Sequence, residues 1–264
     1  MSAPALVLVA LRGSDPQAAA VIQQLCEGVK DRGVDFHCHA LALDLGSSHT
    51  AEVLERVSQS GAAECVFVPL GFHNGGEADP EIAVLNRRAA KQYPEISFTV
   101  SRPLGPEAIL LKVLDSRMRH ALAHAHCLDL DGLVLATERS GDRLGTSLLA
   151  RRVRQWSTRH HLPCVSAVAD DPNSMAQAIM SLRAQGRRHI AVGSLYLTPS
   201  STYQTQRELA FRYGAITVSD PVGACEEVVD LILARYSFAA FDLLTLDTIE
   251  EREEPVVHLR VVGA

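Results

Sequence analysis

The sequence predicts an α/β protein of two similar halves, each a four-stranded parallel sheet with helices on both faces. Three observations carry this. Apolar runs of strand length alternate with stretches of helical spacing. The strand runs are almost wholly apolar, as in a sheet covered on both faces. The chain also repeats itself, three times in the same order. Residues 6–15 (LVLVALRGSD) resemble residues 133–142 (LVLATERSGD) at an offset of 127. Residues 51–72 resemble 176–197 at an offset of 125, and residues 99–118 resemble 217–236 at an offset of 118. The offset shrinks along the chain, so the second half is a shortened copy. The expected divisions are 1–127, 128–240 and a tail of 241–264.

The elements follow in order. ALVLVAL (5–11) is a first core strand, and a polar turn with Gly and Asp follows it. AAAVIQQLCEGVKDRG (18–33) has apolar residues at helical spacing, with Gly33 placed to cap its end. VDFHCHALAL (34–43) is a second strand, then come a helix and the strand ECVFVPL (64–70). A loop backed by a helix leads to ISFTVSRPL (96–104) and a closing helix. The second half repeats this plan through GLVLAT (132–137), PCVSAVA (163–169), HIAVGSLYL (189–197) and AITVSDPV (215–222). Each half is flavodoxin-like in general type.

Composition narrows the function. Hydrophobic residues make up 47% of the 264 residues and charged residues 21%, a globular balance. A net charge of -6 disfavours nucleic acid and anionic membrane as partners. The six cysteines form no CxxC pair and read as small buried hydrophobes in a reducing compartment. The N-terminal apolar run lacks a basic flank and ends after seven residues, and no window is long enough to span a membrane. The expected location is the cytoplasm. No GxGxxG or GxxxxGK[ST] follows any strand, so no nucleotide cofactor is expected.

Sheets of this kind bind ligands beyond the carboxyl ends of their strands. The loops there are 11–16, 69–80 and 102–106 in the first half, and 138–143, 194–203 and 220–223 in the second. Asp15-Pro16, Pro69-Leu70 with Gly75-Gly76 and Asp79, and Pro103-Leu104-Gly105-Pro106 with Arg117 stand in that order. Pro221, Gly223 and Arg235 echo the last of these. This pattern resembles the class II tetrapyrrole chelatases, the sirohydrochlorin cobalto- and ferrochelatases, in their two-half form. The resemblance covers about residues 4–240. It implies a chelatase-like fold with a cleft between the halves, and insertion of Fe²⁺ or Co²⁺, as substrate, into sirohydrochlorin, towards sirohaem or cobalamin.

The chain departs from that family at two positions. The family's first-loop histidine falls on Leu11, and the histidine after Gly-Gly falls on Glu77. The equivalent places in the second half hold Glu138 and Thr202. Transition ions need imidazole, carboxylate or thiolate, and metallation needs a base for two pyrrole protons. His73 and Glu77 are the expected replacements, as metal ligands and as catalytic groups, with Asp79 orienting the histidine and Glu138 adding a third group. Their alternative is a solvated loop histidine beside carboxylates at a helix N-terminus. The expected substrate contacts are Arg12, Ser14, Gly75, Gly76, Arg102 and Arg139, the arginines pairing with substrate carboxylates or with local acids such as Asp15 and Asp142.

The remaining histidines carry less. His37 and His39 share one face of a strand and Cys38 points to the other. His120 and His124 are spaced i, i+4 near the join of the halves, placed either to chelate or to form a solvated face. His160 and His161 end a basic helix, where cations suit the dipole. The tail holds the acidic run 250–254 and the strand-like VVHLRVVG, an edge-pairing segment that would suit a homodimer. Three functions remain open: a chelatase, a non-catalytic tetrapyrrole- or metal-binding homologue, and an enzyme of different substrate on this fold.

Overall fold

A computed structural model describes residues 3–11, 16–33, 37–127 and 129–250, with side chains left aside at 16 and 244–250. The first half runs β1 (Ala5–Leu11), α1 (Pro16–Lys30), β2 (Cys38–Leu43), α2 (Ser48–Gln59), β3 (Glu64–Pro69), α3 (Pro80–Gln92), β4 (Ser97–Val100) and α4 (Leu110–His124). The second repeats it with β5 (Gly132–Thr137), α5 (Arg143–His160), β6 (Cys164–Val168), α6 (Ser174–Ala184), β7 (Ile190–Leu195), α7 (Ser201–Arg212), β8 (Thr217–Val218) and α8 (Glu226–Glu250). Both sheets are parallel, and their orders, β2-β1-β3-β4 and β6-β5-β7-β8, are the same. The predicted two-sheet α/β architecture is what the chain adopts.

Alternation along β1 divides the core. Leu6 and Leu8 face a central cluster, and Val7 and Val9 face a cluster under α2 and α3. A matching outer cluster lies under α6 and α7, with Val134, Ile179 and Val192. The central cluster joins the halves: Leu6, Val66 and Leu104 of the first belong to it together with Leu133, Leu135, Trp156 and Val228 of the second. The helices of this middle layer are exchanged. α4 packs on β7 and β8, and α8 packs on β3 and β4, so each half's last helix covers the other half's sheet. The two halves therefore share one core, which the linear divisions at 127 and 240 do not convey.

The middle layer is tight. A Cβ on Gly28 of α1 would lie 2.9 Å from Val229 Cγ2 of α8. Trp156 is fully buried, and its Nε1 donates to Asp115 Oδ1 at 2.7 Å. The same carboxylate takes His160 Nε2 at 2.8 Å and Arg159 at 3.0 Å, so one acid on α4 fastens the end of α5.

The predicted tail divides differently. Residues 241–250 continue α8, because the apolar run beyond Ala240 keeps the helix going. The segment VVHLRVVG and the homodimer contact expected of it lie outside the described residues. Among the described residues no helix is long and apolar enough to cross a membrane.

Candidate functional site

In both sheets the chain steps outward from the first strand to the second, then returns to the other side for the third. The crevice at such a switch point opens beyond the carboxyl ends of β1 and β3 in one half, and of β5 and β7 in the other. A cavity of about 600 Å³ lies there, bounded by Val9, Leu11, Leu70 and Gly71 from the first half and by Glu138, Arg139, Tyr196 and Leu197 from the second. Its volume falls in the range of small-molecule sites. Ser200, Ser201 and Thr202 add hydroxyl groups at the start of α7.

His73 and Asp79 meet on the cavity wall. His73 Nε2 lies 3.2 Å from Asp79 Oδ1, and both residues are buried, each 8% exposed. Asp79 holds the N-cap position of α3, just ahead of Pro80, yet its side chain makes no capping bond. It turns to His73 instead, and Arg139 Nη1 of the other half approaches the same oxygen at 3.6 Å. Burial works to raise the Asp79 carboxyl, but the His73 bond and the Arg139 charge together hold it below its usual value. The His73 ring rests against Gly71, where a Cβ would come within 3.0 Å of Cε1. An anionic partner on one ring nitrogen fixes the tautomer and leaves the other nitrogen as a proton acceptor.

Asp142 locks the two halves together beside this pair. It is the N-cap of α5, and its carboxylate accepts from Gly145 N within its own half. It also accepts from Gly75 N at 3.0 Å, Gly76 N at 2.9 Å and Glu77 N at 3.0 Å across the interface. Asp142 N donates in return to Asn74 Oδ1 at 2.9 Å. Burial would raise this carboxyl, but the four backbone donors outweigh it and hold the group far below the usual carboxylate range.

The expected site residues divide accordingly. His73, Glu138 and Arg139 come to one cavity with Asp79, and Leu11 lies on its wall. Glu77 does not line it: its backbone is held by Asp142, and its side chain is exposed. Gly75 and Gly76 do not offer their amides to a ligand, because Asp142 already takes both. They are small for a different reason, since a Cβ on Gly75 would lie 2.9 Å from Gly145 N. Arg102 is exposed and away from the cavity. Arg12 and Ser14 lie outside the described residues. Among the described residues no group of three His, Cys, Asp or Glu is arranged to hold a metal ion.

Sequence reasoning missed Asp170, which also lines the cavity and accepts from Ser140 N at 2.8 Å and Ser140 Oγ at 3.1 Å. Its place after β6 was the available signal. On β2, Cys38 is buried with its Sγ 2.9 Å from Cys26 Sγ, while His39 is half-buried from the opposite face.

Comparison with known proteins bears on the same region. Residues 6–121, in the first half of the chain, match the CbiX family model. The sirohydrochlorin ferrochelatase of Arabidopsis thaliana chloroplasts is 30% identical over 82 residues, 31% of this chain and 36% of that protein. The chain thus spans about a third of the length of the curated relative it matches. Among solved structures, the sirohydrochlorin chelatase SirB of Bacillus subtilis subspecies spizizenii in complex with cobalt superposes with a TM-score of 0.66 at 18% identity, over 92% of this chain and 97% of that one. SirB of Bacillus subtilis with Fe³⁺ gives 0.67 at 17% identity, over 92% and 98%. CbiX, described as the terminal enzyme of sirohaem biosynthesis in denitrifying bacteria, gives 0.58 at 18% identity, over 89% and 99%. At these identities the structural likeness speaks for the fold, and it covers both halves.

Proposed function

We propose, from a chain whose first half matches the CbiX family model and whose fold is shared with solved sirohydrochlorin chelatases, that this protein is a sirohydrochlorin chelatase-like enzyme of the cytoplasm. It takes a polycarboxylate tetrapyrrole into the cavity between its halves and promotes loading of Fe²⁺ or Co²⁺, the metal being a substrate. The observation that carries this is the buried His73–Asp79 pair on the cavity wall, in a chain whose two family histidine positions hold Leu11 and Glu77.

Insertion of a divalent ion displaces two pyrrole N–H protons, so the site needs a base near the macrocycle. His73 donates its Nε2 proton in the bond to Asp79 and receives a pyrrole proton at Nδ1. Asp79 stabilises the resulting imidazolium without being protonated, much as a buried carboxylate does in a catalytic triad. Glu138, on the facing wall, offers a carboxylate to the incoming ion or to the second proton. It takes the part that sequence spacing had given to Glu77. Arg139 has 42% of its side chain exposed and is placed to meet a substrate carboxylate while it steadies Asp79.

A second reading, a homologue that binds the tetrapyrrole without inserting metal, is favoured by Leu11, an inert side chain on the cavity wall. Anoxic mixing of the protein with sirohydrochlorin and Co²⁺, followed by absorption, separates the two. The expected result is metallation faster than the protein-free rate, lost in His73→Ala. Spectral shifts without metallation would establish the binding homologue, and an unchanged spectrum would overturn both.

A further inference from the structure

We infer that His120 and His124 form a bis-imidazole chelate for a divalent transition ion at the C-terminal turn of α4, separate from the cavity. The two residues are spaced i, i+4 and therefore share one helix face. Their Nε2 atoms lie 3.1 Å apart, with ring centroids 4.4 Å apart and the rings crossed at 77°. An ion bound at 2.0–2.1 Å by two imidazoles holds its donor atoms about 2.9 Å apart at a right angle and about 3.3 Å apart at the tetrahedral angle. The observed separation falls between these limits, so the two nitrogens already stand at the spacing that one chelated ion requires.

The surroundings suit an ion that keeps several waters. Both histidines are exposed, and Ser116, one turn before His120 on the same face, is exposed as well. His124 is the last residue of α4, so the site sits at the negative end of the helix dipole, which favours a cation. Among the described residues no third His, Cys, Asp or Glu completes the group, and water fills the other coordination positions. Imidazole donors select the class of Co²⁺, Ni²⁺, Cu²⁺ and Zn²⁺ over Mg²⁺ and Ca²⁺.

The proton balance is simple. Without an ion, one neutral ring donates Nε2–H to the other ring's Nε2. On binding, that proton moves through solvent to Nδ1 of the same ring, both Nε2 lone pairs meet the ion, and no net proton is released. The location is independent of the proposed reaction. Thr217 Oγ1, at the start of β8, donates to Ala121 O at 3.3 Å, so this turn lies at the amino ends of the strands, opposite the cavity.

The second imidazole binds intramolecularly, so losing either ring costs most of the affinity. Isothermal titration of the full, untagged chain with Ni²⁺ tests the site. The expected result is one ion per chain, with affinity reduced at least tenfold in both His120→Gln and His124→Gln. Circular dichroism checks that the surface variants stay folded. Wild-type affinity in either glutamine variant would overturn the assignment.

Discussion

Arg117 and Arg235 are exchanged counterparts: each stands on the last helix of one half and holds the Pro-x-Gly loop of the other. Arg117 Nη2 donates to Val222 O at 2.9 Å. Arg235 donates from Nε to Pro103 O at 3.0 Å and from Nη2 to Leu104 O at 3.1 Å, and pairs with Glu107 at 2.6 Å. The loops they hold turn at Gly105 and Gly223, with φ of 69° and 70°, a region where other residues are strained. Because the loops sit at the strand ends, the two arginines fix the frame around the cavity. Arg235→Ala should lower stability by about 2–3 kcal/mol, since three partners are lost, and Arg117→Ala by about 1–2 kcal/mol. Urea midpoints measure both. Arg235→Lys should recover less than half of the loss, because an ammonium cannot replace the planar fork.

The motif around these arginines was legible in the sequence, and its partner was not. The match of residues 99–118 to 217–236 gave the fourth strand, the glycine turn and the closing helix of each half. An apolar helix face buries equally well on either sheet, so periodicity could not say that α4 and α8 trade places. Topology alone pointed to the strand ends, and of the loops there 69–80, 138–143 and 194–203 line the cavity while 102–106 and 220–223 do not. Within them, Gly75-Gly76 read as ligand contacts because they match the middle loop of the chelatase pattern. Asp142, an N-cap 66 residues further on, takes those amides, and no local pattern joins the two loops. The end of the internal repeat suggested a boundary near 240, yet the helix runs on through AAFDLLTLDTIE and carries α8 to Glu250.

Asp142 makes stability pH-dependent in a defined direction. Its carboxyl is far below the usual range in the folded chain and near 3.9 when unfolded. The contribution is complete above about pH 4 and is lost as pH falls towards the folded value. Asp142→Asn keeps one acceptor oxygen but presents an NH₂ to backbone donors. It should cost about 1–3 kcal/mol at neutral pH. It should also flatten the acid limb of the stability curve, read from denaturant midpoints between pH 5 and pH 2. A variant whose acid limb matches the wild type would remove Asp142 from this role.

Gly145 couples the interface to His73. A Cβ there would meet His73 O at 2.0 Å and Asn74 Cα at 3.0 Å, both backbone. Alanine would normally favour the helix, but here it must push the 73–75 loop away from α5. Gly145→Ala should therefore destabilise by about 1–3 kcal/mol, as overpacking does. It should also weaken tetrapyrrole binding through displacement of His73. Paired thermal melts and ligand titrations check this, and an unchanged melt would show that the loop yields without strain.

Asp79 and Arg139 can be separated kinetically, although they touch. Arg139→Leu removes a cation from the cavity rim and leaves the His73–Asp79 bond in place. For a polycarboxylate ligand this should raise the apparent KM about five- to tenfold, close to 1 kcal/mol for a half-exposed charge pair. The saturating rate should stay within about twofold. Asp79→Asn removes the carboxylate that supports a charged His73 and leaves the shape of the wall unchanged. It should lower the saturating metallation rate at least tenfold, within the range of general-base effects, while the ligand Kd changes little. The opposite split, with Arg139→Leu acting on rate and Asp79→Asn on binding alone, would move the proton acceptor away from His73 and towards Glu138.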